Sequence, residues 1–217
     1  MRGLILKDIF ILGRYSRFLL LYLLLFGGIF VVQGNATFGS MIVVLLSSLV
    51  ISTFTYDDQA HWDQYILSTP VGRKKVVLAK YLLALALVVL GTLVGLLCVL
   101  LGRMVNPGEE LLQGMVPLAT LGLSALVGAL AVSAIIPLIY RFGTEKSRLM
   151  MMLVYALPAV LIGTLFNLIA PEQVHRVVDW FEVSLPSLLV ATPLFCIAAI
   201  CFSYVLSVKI YAKKEIS

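Results

Sequence analysis

The sequence predicts an all-α membrane protein with six transmembrane helices, and three observations lead to this class. Of its 217 residues, 61% are apolar and 12% are charged, whereas a soluble domain has roughly 45–50% apolar and about 25% charged residues. Mean hydropathy is +1.07. The charged residues lie in short segments between long uncharged intervals, each long enough for the ~20 residues that cross a bilayer. A soluble globule is excluded, and residues 1–217 are treated as one transmembrane domain.

The uncharged intervals define the spans. The first interval holds two helices because Gln33-Gly34-Asn35 supplies a turn, and the other intervals hold one helix each. Gly91 and Gly95 form a G-x-x-x-G pair that permits close helix contact. The predicted spans cover residues 18–32, 38–56, 76–101, 115–140, 149–170 and 187–208.

The basic residues predict the orientation, since Lys and Arg favour the cytoplasmic side of a membrane. Two basic residues, Arg103 and Arg176, fall on the other side. Both termini are therefore predicted to be cytoplasmic, in a multi-pass protein of the cell membrane, and nucleic acid is not expected as a partner because it requires one water-facing basic patch. The basic residues assigned to the cytoplasmic side are Arg2, Lys7, Arg14, Arg17, Arg73, Lys74, Lys75, Lys80, Arg141, Lys146, Arg148, Lys209, Lys213 and Lys214.

Residues 1–17 are predicted to form a helix in the cytoplasmic interface. Ile5, Ile9 and Leu12 share one face at i, i+4 and i+7, and Lys7 is on the opposite face. A generic membrane anchor has the same pattern.

The segment 57–73, after the second span, is predicted to contain a short amphipathic cytoplasmic helix. Trp62, Tyr65 and Ile66 share a helical face, and proline ends the helix at Thr69-Pro70. Such a helix docks into a groove on a partner through aromatic side chains and a charged rim. The alternative is a loop whose aromatic residues lie at headgroup level.

On the outer side, residues 172–184 place Val174, Val177, Val178 and Phe181 on one face. They are predicted to form an extracellular interfacial helix, and a simple interfacial linker fits the pattern equally well.

The sequence contains no motif of an enzyme. The phosphate-binding loop G-x-x-x-x-G-K-[ST] is absent, so ATP and magnesium are expected on another polypeptide and no cofactor on this one. All acids and both histidines lie outside the predicted spans, which argues against an ion-coupled carrier. Asp57, Asp58, His61 and Asp63 have a spacing that metal ligands can have, but no complete ligand set is identifiable, and no metal site is predicted.

Polar residues inside the spans are candidates for lining a transport pathway. Ser48, Ser52 and Thr55 recur at i, i+4 and i+7 on the second span, and Thr164 and Asn167 lie near the outer end of the fifth. The alternative is that these side chains bond to the preceding turn or allow close packing.

Two stretches of the chain resemble a known family. Lys7-Asp8 lies in the N-terminal helix, and Leu67 to Tyr81 reads LSTPVGRKKVVLAKY. Both resemble the membrane subunits of type-2 ABC transporters, the ABC-2 permeases, in which such a stretch follows an acid after the second span. That acid is usually Glu in the family, where this chain has Asp57 and Asp58. The resemblance extends to the six-span plan.

The resemblance implies two permease subunits, identical or different, in contact with membrane lipid, each coupled to a cytoplasmic ABC ATPase by the helix after the second span. It implies export of amphipathic substrates driven by ATP, with antimicrobial or toxin-like peptides such as phenol-soluble modulins first. A lipid or drug exporter and a non-transporting membrane scaffold or sensor are the alternatives. The ATPase-coupling residues implied on this chain are Asp58, His61, Trp62, Asp63, Tyr65 and Arg73.

Overall fold

In the computed structural model, every regular element of the described residues is an α-helix. The structure describes residues 2–33, 36–67, 72–108, 116–147, 149–150, 153–154, 156, 160, 164 and 171–213. Within them the helices are α1 (Arg2–Gly13), α2 (Ser16–Gln33), α3 (Ala36–Gln59), α4 (Trp62–Leu67), α5 (Arg73–Val105), α6 (Val116–Phe142) and α7 (Pro171–Lys213).

Four of these helices, α3, α5, α6 and α7, contain a segment long and apolar enough to cross a membrane. The pair α1 and α2 also passes this test when taken together, and its two helices are bent by 63°. This confirms an all-α, multi-pass membrane protein. The predicted span 149–170 falls mostly outside the described residues, so the number of six spans stays a prediction.

The last helix differs in extent from the predicted elements. The extracellular interfacial helix predicted at 172–184 and the span predicted at 187–208 both belong to the single helix α7. Pro193 lies inside this helix, as proline does in membrane helices whose freed carbonyl groups find other partners.

Helix α3 is the centre of the bundle and packs against α2, α5 and α6. Its buried face includes Ile42, Val43 and Val50. Where α5 crosses α3, a Cβ atom added to Gly91 would lie 3.0 Å from the Cα atom of Val43. The backbones therefore approach as closely as the G-x-x-x-G pair predicts.

Helix α5 is apolar on its exposed face as well as on its buried face. A helix that is hydrophobic all round belongs inside a large protein or in a membrane. The outward side chains of α5 are of the kind that a membrane helix exposes. They include Leu82, Leu85, Val89, Leu90, Leu93, Leu97 and Leu100.

A set of buried hydroxyl groups joins α5, α6 and α7, and we call Tyr81, Ser133, Ser203 and Ser207 the hydroxyl network. The Tyr81 hydroxyl lies 2.8 Å from the Ser207 Oγ and also bonds to the Ser203 Oγ. Ser203 in turn donates to the backbone carbonyl of Ser133 on α6. Neutral hydroxyl groups of α5 and α7 thus bond to one another and, through Ser203, to a backbone carbonyl of α6.

Helix α1 contacts the bundle through a face that the sequence analysis did not assign. The main core is the buried apolar cluster formed by α3, α4, α5, α6 and α7. Leu4 and Leu12 pack against this core, and Asp8 between them is buried. Ile9, a member of the predicted apolar stripe, is exposed, and Lys7, on the opposite face from that stripe, makes ion pairs with Asp8 and Asp57. Charged residues of α3 and α5 are the partners of Lys7 and Asp8. The periodicity of apolar residues in α1 gives no information about such partners.

Candidate coupling site

The C-terminal end of α3, predicted to be cytoplasmic, turns sharply into α4. The backbone N–H of Ala60 donates to the Tyr56 carbonyl at 3.0 Å, and that of His61 donates to the Asp58 carbonyl at 3.1 Å. His61 has φ 48°, in the left-handed region that often follows a helix end. This turn places α4 beside the last turn of α3.

Four charged side chains from three helices meet at this end of the bundle, and we call Lys7, Asp8, Asp57 and Lys80 the charge ring. The Nζ atom of Lys80 lies 2.7 Å from Asp57 Oδ2 and 3.0 Å from Asp8 Oδ1. The Nζ atom of Lys7 lies 3.2 Å from Asp8 Oδ1 and also bonds to Asp57 Oδ1. Positive and negative groups therefore alternate around a closed circuit whose formal charges sum to zero.

The ring is largely removed from water. The side chains of Asp8 and Lys80 are only 2% and 5% exposed. The third donor position of the Lys80 ammonium is used by the Thr53 Oγ1 atom at 3.0 Å, so all three of its N–H groups have acceptors. Removing one member of a buried ion pair costs about 3–5 kcal/mol because the partner stays behind as an uncompensated charge. The ring therefore fixes α1 firmly to α3 and α5.

One side of helix α4 packs against the charge ring and the bundle, and its other side is exposed. The Nζ atom of Lys7 lies 4.3 Å from the centroid of the Trp62 ring, within the range of a cation–π interaction. Ile66 is buried in the main core. Tyr65, stacked at a tilt beside Trp62 with ring centroids 5.1 Å apart, is 61% exposed.

Asp58 points away from the ring. Its Oδ2 atom accepts hydrogen bonds from the backbone N–H of Thr144, at 3.3 Å, and from the Thr144 hydroxyl. Thr144 begins a short helical turn at 144–147, just after Gly143 with φ 81°. The cleft between these segments has a volume of about 570 Å³ and is lined by Thr55, Asp58, Gln59, His61, Thr144 and Glu145.

Arg73, at the start of α5, contacts the last turn of α7. One of its Nη atoms donates to the carbonyl oxygens of Tyr211 and Ala212, at 3.2 and 2.8 Å. A cation is favourable there because the carbonyl end of a helix carries partial negative charge. Arg73 thus connects the segment after α4 to the end of the chain's last described helix.

Five of the six predicted coupling residues lie at the end of the bundle where α3 meets α4, and they have different partners. Tyr65 and His61 are exposed, Trp62 lies against Lys7, and Asp58 and Arg73 bond within the chain. The side chain of Asp63 lies outside the described residues. Asp57 and Asp58 bond in different directions, and no group of three potential metal ligands occurs in the part of the chain that the structure describes.

The predicted pathway residues of α3 lie along one side of the helix. Ser48 lines a cleft of about 720 Å³ between α2, α3 and α6, and Thr55 lines the cleft at Asp58 described above. Both hydroxyls also donate within α3, Ser48 to the Leu45 carbonyl at 2.7 Å, as the alternative reading expects. Ser52 lies between them, half-buried. Thr164 is exposed, and Asn167 lies outside the described residues.

Sequence reasoning did not assign the charge ring as a site. Its members were noticed separately, as topology markers, as the Lys7-Asp8 pair and as the Lys80-Tyr81 end of the second stretch. The available signal was that both stretches carrying the family resemblance contain charged residues of the ring. Their proximity depends on how α1, α3 and α5 pack, which residue spacing along one chain does not give.

The chain as a whole has one match among the comparisons with known proteins. The family model described as "ABC-2 family transporter protein" matches residues 3–212. No curated protein and no solved structure matches the chain. The family match covers nearly the whole length and agrees with the apolar helices, and it implies a membrane transport subunit that works with a separate ABC ATPase. The chain therefore belongs to the ABC-2 family of transporter proteins.

Proposed function

We propose that this chain is the membrane subunit of an ATP-driven exporter and that α4 receives the force from a separate cytoplasmic ATPase. The observation that carries the proposal is the mounting of α4. Ile66 and Trp62 hold it to the bundle while Tyr65 is exposed. Through Lys7, the same helix is connected to the charge ring and so to α1, α3 and α5.

The five predicted coupling residues whose side chains the structure describes divide into two groups. Tyr65 and His61 are exposed and form the surface that the ATPase contacts, since exposed aromatic side chains are common at the centre of interfaces. Trp62, Asp58 and Arg73 transmit the movement inside the chain. ATP and magnesium are bound by the partner, because this sequence has no phosphate-binding loop.

The proposed substrate is amphipathic. The cleft between α2, α3 and α6 is mostly apolar and also presents the hydroxyl groups of Tyr22, Ser48 and Thr120, which suits a molecule with both kinds of surface. An antimicrobial or toxin-like peptide is our first choice, and a lipid or drug is the alternative. We place two such subunits in the cell membrane, with both termini in the cytoplasm.

The first test is purification of the tagged chain from its native membrane, followed by identification of co-purifying subunits and an ATP hydrolysis assay. We expect a stoichiometric subunit with a phosphate-binding loop and measurable hydrolysis. A chain that purifies without any such subunit, or with a subunit that does not hydrolyse ATP, would contradict the proposal and favour a scaffold.

The second test uses Tyr65→Ala, with Phe202→Ala as the matched control. Phe202 is an aromatic residue of similar exposure on α7. Truncation of an interface hot spot costs about 2 kcal/mol or more, so Tyr65→Ala should weaken association with the ATPase roughly thirtyfold. Phe202→Ala should leave association unchanged. Equal affinities for the two variants would remove Tyr65 from the proposed interface.

A further inference from the structure

A cleft of about 400 Å³ lies where α1 turns towards α2, next to the cytoplasmic end of α3. It is separate from the cleft at Asp58 and from the cleft that contains Ser48. No predicted coupling or pathway residue lines it. Its lining combines two cations, one phenol and two apolar side chains: Lys7, Phe10, Ile11, Arg14 and Tyr56.

The cations of this cleft have different surroundings. Lys7 belongs to the charge ring, with Asp8 and Asp57 as partners. Arg14 is exposed, and the ion pairs that the structure describes in this region are made by Lys7 and Lys80, not by Arg14. The two acids nearest to the cleft in the ring are thus engaged by lysines, and the guanidinium group of Arg14 is available to a bound anion.

The phenol adds a hydrogen-bond donor. Tyr15 donates its hydroxyl hydrogen to the Tyr56 oxygen at 3.2 Å. This bond, followed by burial, raises the pKa of Tyr15, because a phenol that donates a hydrogen bond is stabilised in its neutral form. With its oxygen accepting from Tyr15, the Tyr56 hydroxyl has its own hydrogen to donate.

The apolar side of the cleft faces the surroundings of the protein. Phe10 is 73% exposed, and Leu6 and Ile9 on the same helix are also exposed. Helix α1 meets α2 at a bend of 63°, which is the geometry of a helix lying along the membrane interface beside a crossing helix. The cleft therefore has a cationic part next to an apolar surface, the combination that a lipid headgroup and its acyl chains require.

We propose that this cleft binds the phosphate group of an anionic phospholipid, with Arg14, Lys7 and Tyr56 contacting the phosphate and Phe10 beside the acyl chains. Arginine matches phosphate oxygens with two parallel N–H groups, and an anionic lipid supplies both the phosphate and the apolar tail. Because Lys7 also contacts Asp57 and Trp62, a bound lipid competes for the cation that holds α4. Anionic lipid content thereby adjusts the position of α4.

The experiment places the full-length chain, carrying Trp180→Phe so that Trp62 is the one remaining tryptophan, in phosphatidylcholine nanodiscs. A small fraction of the lipid is replaced by brominated phosphatidylglycerol or, in the parallel sample, by brominated phosphatidylcholine. Bromine quenches tryptophan fluorescence at short range, and Trp62 lies next to Lys7 of the cleft. We expect stronger quenching by phosphatidylglycerol than by phosphatidylcholine at the same fraction.

Arg14→Gln is the test variant, and Arg141→Gln, an exposed arginine at the end of α6, is the control. Near a membrane surface one arginine contributes about 1 kcal/mol to attraction of anionic lipid, so Arg14→Gln should lower phosphatidylglycerol affinity about fivefold. Arg14→Lys should retain part of the preference, and Arg141→Gln all of it. Thermal unfolding of each variant verifies that it folds.

Three outcomes would overturn the proposal. They are equal quenching by the two lipids, an equal loss of preference in Arg14→Gln and Arg141→Gln, and stabilisation of the detergent-purified chain by inorganic phosphate to the same extent as by phosphatidylglycerol. The last outcome would assign the cleft to a soluble phosphate compound. None of these measurements requires ATP, the ATPase or a transport substrate, so a negative result here is distinct from failure of the proposed transport function.

Discussion

Lys80 and Tyr81 are neighbours on α5, and they belong to two different buried polar clusters, one charged and one neutral. Lys80 joins the charge ring with α1 and α3, and Tyr81 joins the hydroxyl network with α6 and α7. Successive residues of an α-helix point about 100° apart, so one helix serves both sides of the bundle. The comparison indicates that the side next to α4 is held by charge and the opposite side by neutral hydrogen bonds.

The difference has a mechanical consequence. A charge ring is strong only while complete, since every member lost leaves a buried charge without its partner. Interhelical hydrogen bonds of neutral side chains in a membrane contribute about 0.6 kcal/mol each on average. The charge ring therefore holds α1, α3 and α5 together at the ends next to α4, whereas the polar contribution that holds α5 to α6 and α7 is smaller.

The largest effect is expected from breaking the charge ring. Asp8→Asn should destabilise the purified protein by about 3–5 kcal/mol, because Lys80 and Lys7 then carry excess buried positive charge. The double variant Asp8→Asn with Lys80→Met keeps the remaining pair neutral and should lose less than the sum of the two single variants. Unfolding free energies in mild detergent measure both. Strict additivity would contradict a coupled ring.

A smaller loss of stability is expected where a neutral hydroxyl oxygen accepts a hydrogen bond from a charged group. Thr53→Val removes the third acceptor of the Lys80 ammonium and should cost about 1.5–3 kcal/mol, the range for hydrogen bonds to charged groups. Thr92→Val is the matched control, because the Thr92 hydroxyl donates to the Val88 carbonyl of its own helix. The same unfolding measurement applies, and equal losses in the two variants would show that Thr53 does not support Lys80.

The smallest effect is expected in the hydroxyl network. Tyr81→Phe removes the hydroxyl between Ser203 and Ser207 and should cost about 0.5–2 kcal/mol. Tyr204→Phe, whose hydroxyl reaches the Lys74 carbonyl at 3.5 Å, should have little effect. A loss for Tyr81→Phe as large as that for Asp8→Asn would remove the distinction between the two sides of the bundle.

The apolar pattern of the sequence was sufficient to predict most of the fold. The predicted spans 18–32, 38–56, 76–101 and 115–140 lie within α2, α3, α5 and α6, except for one residue at the start of α6. Length and hydropathy determine such helices because backbone polar groups must be satisfied within the membrane. The orientation of α1 was not predicted, because its inner face is chosen by charged partners on other helices.

The candidate site was predicted in part. The aromatic positions of α4 were recognised from helical spacing, but which of them is exposed was not. Ile66 and Trp62 are used by the chain's own core, and Tyr65 is exposed. Helical spacing shows which residues share a face of a helix. It does not show whether that face contacts the same chain or a partner protein.

The sequence by itself determined the membrane class, the helical composition and the resemblance that the family match later supported, because these depend on composition and on local order along the chain. The tertiary structure decided the charge ring, the direction of Asp58 and Arg73, and the cleft beside Arg14. Residues 7, 57 and 80 are far apart in sequence, and only the packing of α1, α3 and α5 removes their charges from water together. Burial then makes their pairing strong enough to fix these helices to one another.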